Sequence, residues 1–357
     1  MPATAASSQM LRETRLQPAT LQQTLERSLA GIEGLRQRFE RSRPRLIVLA
    51  ARGTSDNAAQ FGRYLIEITT RIPVSLAAPS VVTLYKTGID LRDVVVVGIS
   101  QSGESTDTNA VLADAPRRGA FTIGITNEAR STMARTAEST LLVRAGREAS
   151  VAATKTYTGQ MLAMYLLAYA LGGAVKLDDL RRIPGWVDRV LRLEARIAAL
   201  AERYCFMSRT VTVGRGLNYA NALEFRLKLM ETCYVLAEGF SAADLMHGPI
   251  AVVEKSFPAF VFAPPGATWP SIRSVLDQLQ QLKADTLLIT DASNRQACRG
   301  DRVLALPAFP GPRSGPADLY TPIPYIVPAQ LFAAHLAAIK GLDPDRPRSL
   351  RKITRTM

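Results

Sequence analysis

Short apolar runs recur along the chain at residues 45–51 (RLIVLAA), 74–76, 93–100 (DVVVVGIS), 122–126 (TIGIT) and 140–143 (TLLV), and helical stretches lie between them. Unbroken runs of this length suit strands buried on both faces, as in a parallel sheet. The exchange of strand and helix predicts an open, mainly parallel sheet with helices on both faces and ligands at the carboxyl ends of its strands. The pattern then starts again. A strand at 210–213, a turn at Gly214-Arg215-Gly216 and a helix at 219–237 precede a strand at 259–262 (AFVF), the stretch Ala263-Pro264-Pro265-Gly266, a helix at 269–282 and a strand at 286–290 (TLLIT). The spacing of the Gly53 helix, Ser100 loop and Thr122 strand is echoed by the Gly216 helix, Pro264 loop and Thr286 strand, which predicts an internal duplication with divergent loops.

Residues 13–39 carry Leu16, Leu21, Leu25, Leu29, Ile32 and Leu35 at three- and four-residue spacing, the stripe of a helix with Pro18 at its first position. This is a lead-in that packs on the first domain or on a partner subunit. A charged helical stretch at 176–203 leads away from the first sheet as the connection between domains. The longest apolar helix expected lies near 161–174 and ends at Gly172-Gly173, so it reads as a core helix and no membrane span is expected. The organisation is therefore a lead-in at 1–35, a first α/β domain at 36–180, a second at 181–342 and a tail at 343–357.

With 357 residues and 47% hydrophobic content, the chain is long enough for two domains with substantial cores. The N-terminus has no charged region followed by an apolar one, so the expected location is the cytoplasm. Cys205, Cys233 and Cys298 are widely spaced and odd in number, and His247 and His335 are the only histidines. Neither a disulfide framework nor a metal mechanism is expected, nor any cofactor. The formal charge of +13 invites a nucleic-acid reading, but the basic residues are scattered, without aromatic interleaving, which argues against it; positive potential also attracts an anionic small molecule.

Candidate chemistry begins where the strands stop. Ser100, Gln101, Ser102, Gly103, Glu104 and Ser105 follow the valine-rich strand and precede a helix, and Arg52-Gly53-Thr54-Ser55 repeats the arrangement after the first strand. Backbone N–H groups without partners and the helix dipole favour an anion there. The loop has neither the Gly-Lys-Ser/Thr ending of a nucleotide P-loop nor G-x-G-x-x-G, so a small phosphate monoester suits it better than a nucleotide. A polar loop with no ligand has the same composition. At Arg147–Thr156, Ser150 or Thr154 is readable as a helix cap and Lys155 as a solvated side chain, although the segment lies where the loops converge.

The second half supplies ionisable groups. Glu224, Lys228 and Glu231 share one helix face, a spacing that fits ion pairs on a solvated surface and equally a carboxylate placed for proton transfer. His247 sits on a turn before Gly248-Pro249, whereas His335 lies in an apolar helix at 327–340 and reads as a core or interface residue. Lys352 ends a basic run, PRSLRK, that is readable as a disordered tail.

Together these motifs resemble the sugar isomerase (SIS) family in its double-domain form: the isomerase half of glutamine:fructose-6-phosphate aminotransferases and the stand-alone SIS-type glucosamine-6-phosphate deaminases. The resemblance covers nearly all of the chain after the lead-in. It implies two tandem SIS domains, each a flavodoxin-like three-layer α/β unit with a mainly parallel sheet. By resemblance, Gly53, Thr54, Ser55, Ser100, Gln101, Ser102 and Ser105 hold the phosphosugar, with Ser105 where threonine is more usual, and Glu148 and Val151 belong to the binding set, Val151 through its backbone. Glu231 matches the base that moves a proton between C1 and C2, and Lys228 matches a neighbouring active-site lysine. His247 matches the ring-opening histidine, which in the family reaches in from the other subunit of a homodimer. Lys352 matches the C-terminal lysine on the sugar, with Arg351 where alanine is usual. Phe225, Arg226 and Met230 depart from the synthase pattern.

Nothing in residues 1–12 resembles the synthase's glutaminase, so without local ammonia the expected direction is deamination. The reaction expected is glucosamine 6-phosphate to fructose 6-phosphate and ammonia, with the first half gripping the phosphate and the second moving the proton. Plain aldose–ketose isomerisation, deamination of galactosamine 6-phosphate or a fructosamine phosphate, and a non-catalytic phosphosugar sensor are the alternatives.

Overall fold

The structure, a computed structural model, describes residues 8–300, 302–312, 315–350 and 352. They fall into two compact units. One takes Ala19–Glu148, Lys155–Arg181, Leu350 and Lys352; the other takes residues 8–18, Ala149–Thr154 and the described part of Arg182–Ser349.

The first unit is built on β1 (Leu46–Ala50), β2 (Val74–Leu76), β3 (Val94–Ser100), β4 (Phe121–Thr126) and β5 (Ser139–Leu142), in the order β2-β1-β3-β4-β5 and parallel throughout. Every residue of β3 is buried, as a strand covered on both faces requires. Alternation sends Val94 and Val96 to the face where Val111, Leu112 and Met133 pack. On helices Thr54–Thr70 and Lys155–Ala170, Phe61 and Tyr165 meet edge-to-face with ring centroids 5.1 Å apart.

The second unit uses β6 (Arg209–Gly214), β7 (Leu236–Ser241), β8 (Pro258–Phe262), β9 (Asp285–Asp291) and β10 (Val303–Leu306), ordered β10-β9-β8-β6-β7 and parallel throughout. Read from β7, this is the strand order of the first sheet. Ala259 and Val261 face a cluster with Leu245, Ile272, Val275 and Leu279. Phe260, on the alternate side, lies 5.1 Å in centroid distance from each of Phe225, Tyr204 and Phe332.

Several elements depart from the sequence expectation. The helix expected to run to residue 237 stops at Cys233, because Tyr234 turns left-handed at φ 53 and donates its N–H to the Leu229 carbonyl. Residues 236–241 then form β7, an edge strand whose Glu238 and Gly239 mask its β-character; β10, the other edge, was likewise not expected. The apolar helix expected at 327–340 begins at Pro322, since prolines in a first helical turn lose no hydrogen bond. At 18 residues it displaces 161–174 as the longest apolar helix and is apolar enough by length and composition to cross a membrane. Yet 89% of it is buried inside the fold, which makes it a core helix. The single lead-in helix is two, Gln9–Arg15 and Gln17–Arg41, broken at Leu16.

Asp318, in the segment leading into Pro322–Ile339, is 2% exposed, and burial pushes its carboxyl up to about 6 from an ordinary 3.8. Between those values the folded state keeps a proton that the unfolded chain releases, so stability falls as pH rises through the window. Asp318→Asn is expected to match the wild type in urea unfolding at pH 4 and to exceed it by about 2–3 kcal/mol at pH 7.

Candidate active site

Two loops of the first unit stand at the carboxyl ends of the adjacent strands β1 and β3. After β1 the chain turns at Gly53, whose φ of 58 is left-handed, and enters helix Thr54–Thr70 with no side-chain cap. Ser55 is buried and its Oγ accepts from Gln160 Nε2 at 3.0 Å. After β3, Ser100 Oγ accepts the Gly103 N–H at 3.1 Å and Ser102 Oγ accepts the Glu104 N–H at 3.2 Å. Gln101 holds the loop through its carbonyl, which accepts from Asn127 N and Thr126 Oγ1. Gly103 has φ 66, and a Cβ there would come within 2.2 Å of Ser131 Oγ. The Glu104 carboxylate takes the N–H and hydroxyl of Thr132, both at 2.8 Å. Arg52 Nη2 reaches Asp107 Oδ2 at 2.8 Å and ties one loop to the other.

Ser105 distinguishes this loop from an ordinary polar turn. Ser8, Ser131 and Ser241 each occupy an N-cap and accept a backbone N–H from the first turn. Ser105 also occupies an N-cap, but its Oγ pairs with Thr108 Oγ1 at 3.0 Å and makes no cap bond with helix Thr106–Asp114. Two helix starts without side-chain caps thus stand over neighbouring strands, the arrangement that accepts an anion.

The same unit brings Glu148 and Lys352 together. Glu148 is buried, accepts the Thr156 N–H at 3.2 Å and its hydroxyl at 2.5 Å, and pairs with Lys352 Nζ at 3.2 Å. Lys352 is therefore not part of a free tail, while Arg351 and residues 353–357 lie outside the described residues. Lys155 is not solvated either: it is 4% exposed and donates to the Arg147 carbonyl at 2.8 Å.

In the second unit, helix Tyr219–Cys233 carries Glu224, Lys228 and Glu231, and the solvated-face reading fails. The Lys228 and Glu224 side chains are wholly buried and Glu231 is 22% exposed, with Lys228 Nζ at 3.4 Å from Glu224 Oε1 and 2.5 Å from Glu231 Oε2. Burial alone would drive Lys228 to shed its proton. The carboxylates of Glu224 and then Glu231 outweigh burial and raise its pKa, so the ammonium persists between them.

His247 follows helix Ala242–Met246 and precedes Gly248 at φ 132; it is exposed, and its ring makes no hydrogen bond or ion pair among the described residues. His335 has a structural partner, Glu194, at 3.1 Å from its Nε2. The Val151 N–H donates to the Asp345 carbonyl at 3.2 Å. Two carboxylates that the sequence did not single out brace this region. Glu13 accepts the N–H groups of Ala149 and Ser150, and Asp345 accepts those of Gln9 and Met10 at 2.7 and 2.8 Å. Glu13 is one of several polar residues in the helix QMLRETR, so no local signal marks it in the sequence. Among the described residues, no group of three or more His, Cys, Asp or Glu is placed to hold a metal ion.

Both units carry the pattern of one family: the SIS domain matches residues 42–170 and again 207–340. The chain belongs to the SIS-domain family. The glutamine–fructose-6-phosphate aminotransferase (isomerizing) of Pyrococcus horikoshii is 37% identical over 313 residues, covering 86% of this chain and 51% of that protein. The chain spans about half the length of the curated relatives it matches. The solved C-terminal domain of glucosamine-fructose-6-phosphate aminotransferase from Francisella tularensis superposes with a TM-score of 0.86 at 28% identity, over 96% of this chain and 98% of that one. Glucosamine-6-phosphate deaminase from Thermotoga maritima shares the double-SIS fold, with a TM-score of 0.77 at 21% identity over 98% of this chain and 100% of that one.

Removing the ammonium from the SIS helix isolates its structural share. Lys228→Met removes the ammonium 3.4 Å from the wholly buried Glu224 and is expected to cost about 3–5 kcal/mol in urea unfolding. A smaller loss, below about 1 kcal/mol, would mean that water reaches the site and solvates the carboxylate.

Proposed function

We propose that this SIS protein is a phosphosugar isomerase that acts on an amino-sugar phosphate, converting glucosamine 6-phosphate to fructose 6-phosphate and ammonia. The observation that carries the reading is the buried ammonium of Lys228 hydrogen-bonded to the partly exposed Glu231. A proton moving between adjacent sugar carbons needs a carboxylate fixed in one orientation and open on one side, and this pair supplies it. A protein that only senses a phosphosugar has no use for such a group.

The roles follow. Thr54, Ser55, Ser100, Gln101, Ser102 and Ser105, with the amides after Gly53, take the phosphoryl group. Glu148 and Val151 line the sugar, and Lys352, held by Glu148, assists ring opening. Glu231 carries the proton from C2 to C1, turning the ring-opened amino aldehyde into an enolamine and then, on protonation at C1, into the C2 imine of the ketose, which water hydrolyses to the ketone and ammonia. The step needs no redox partner, because it is a tautomerisation in which the proton lost at C2 is regained at C1. Residue boundaries near 36–180 and 181–342 describe the two SIS domains in this proposal.

Purified protein mixed with glucosamine, galactosamine and fructosamine 6-phosphates is expected to release ammonia, most rapidly from the first. Aldose–ketose exchange without ammonia release from any of them would assign plain isomerisation; silence with every sugar phosphate, with binding retained, would assign a sensor. Glu231→Gln is expected to lower kcat by about two to four orders of magnitude with KM little changed. Full turnover in that variant would remove Glu231 as the base.

The protein is further proposed to act as a homodimer in which His247 enters the partner's site. The support is its exposure beside Met246 and Val252, apolar side chains that are 39% and 56% exposed. In a symmetric dimer, Glu231→Gln subunits mixed with His247→Ala subunits regain one intact site per heterodimer, about a quarter of wild-type activity at random pairing. No recovery after subunit exchange would place His247 in its own chain's site or outside catalysis.

A further inference from the structure

We propose that the second unit carries a groove for a nucleoside diphosphate, on the face of its sheet opposite Lys228 and Glu231. The faces are distinguished by strand alternation. Helix Trp269–Gln281 packs through Ile272, Val275 and Leu279 on the side of Ala259 and Val261, whereas Phe225 of the Lys228 helix packs on Phe260.

A connection of nearly the same length as in the first unit, but with no α-helix among its described residues, leaves the groove open. In the first unit, β4 passes to β5 through helix Thr132–Thr136, whose Met133 shares a core with Val111 and Leu112 of the neighbouring helix. In the second, the described part of the β9–β10 link holds a single 3-10 turn, Ala297–Arg299. The flank of Trp269–Gln281 that a neighbouring helix would cover instead borders a cleft of about 700 Å³. That volume is within the range of small-molecule sites, about 300–1,000 Å³.

The lining has two chemistries. Leu276, Ala284, Leu288 and Val303 make an apolar floor, and Trp269, whose Nε1 donates to Gln296 at 2.8 Å, bridges the two walls. Arg273 and Lys283 stand on one wall and Arg299 and Arg302 on the other; Asp277 is the only carboxylate among the described lining residues. Arg302 is fixed by Asp285 at 2.5 Å, while Arg273, Lys283 and Arg299 make no ion pair among the described residues. Guanidinium groups on both walls match phosphate oxygens, and the floor matches a flat ring. From Trp269 to Gln280 the helix extends about 16 Å, long enough for a ring and two phosphates in line. A bare phosphate would leave the floor uncovered, and an uncharged nucleoside would leave the cations unanswered.

Calorimetric titration of the full chain tests this with ADP, pyrophosphate and adenosine as separate probes. ADP is expected to bind one per chain with Kd below about 1 mM, and each of the other probes at least about tenfold more weakly. Arg273→Glu combined with Arg299→Glu, both at exposed positions, is expected to weaken ADP at least about tenfold, and Leu276→Trp, which fills the floor, to do the same by a separate route. The proposal is overturned by absence of saturable ADP binding, by binding that both variants leave unchanged, or by pyrophosphate binding as tightly as ADP. Because the groove variants lie outside the proposed catalytic set, sugar-phosphate turnover in them reports separately on the reaction.

Discussion

The rest of the first unit depends on a reversal of direction in its sheet. β1 lies between β2 and β3, so the chain leaving β1 and the chain leaving β3 pass to opposite faces, and their loops diverge over a crevice at the carboxyl ends. Helices Thr54–Thr70 and Thr106–Asp114 begin at that crevice, and each presents backbone N–H groups without a side-chain cap. The phosphate proposed to bind there would be held by dipoles and hydroxyls without a lysine. The Arg52–Asp107 pair fixes the gap between the loops, while the serines largely bond within their own loop, which holds the amides in place before any ligand arrives.

The second unit uses charge differently. An ammonium in the interior is costly unless matched, and Lys228 is matched twice, by a wholly buried glutamate and by a second that reaches the surface. Glu224 secures the charge and Glu231 is left with an outward-facing part, so the network holds the orientation of the group proposed to move protons. The helix that bears them ends at once in the left-handed Tyr234, whose hydroxyl accepts the Arg348 N–H at 2.8 Å with the Arg348 guanidinium 4.1 Å from the ring centroid. The last described stretch of this unit is thereby anchored to the end of the Lys228 helix.

How much of this was legible in sequence follows from what each feature depends on. Strands buried on both faces announce themselves as apolar runs, so β1, β3, β4, β6, β8 and β9 were visible, and so were the hydroxyl loops at their ends. The edges of the second sheet were not. β7 alternates in burial and carries glutamate and glycine, and β10 has four residues, patterns shared with loops. The Glu224-Lys228-Glu231 spacing is the same on a wet face and in a core, and only the packing of the sheet against the helix decides between them. Glu13 and Asp345 act on backbone N–H groups of residues distant in sequence, an arrangement that leaves no local motif.

The duplication explains why the second crevice does not repeat the first. Gly216 follows β6 at φ 57 just as Gly53 follows β1 at φ 58, so the turn geometry is retained. The polar groups beyond it are committed internally. Asn218 donates to Thr321 Oγ1 and Asn221 to the Pro322 carbonyl, both at 2.9 Å, while Asp291 at the end of β9 accepts the Tyr325 hydroxyl at 2.7 Å. These bonds fasten the start of the buried Pro322–Ile339 helix over the carboxyl ends of the strands, where the first unit leaves amides for a ligand. A buried hydrogen bond is retained because breaking it strands its partner, so once the helix start occupied this crevice a phosphate could no longer displace it. In the second copy the carboxylate proposed to move protons stands instead on the helix following β6, paired with Lys228.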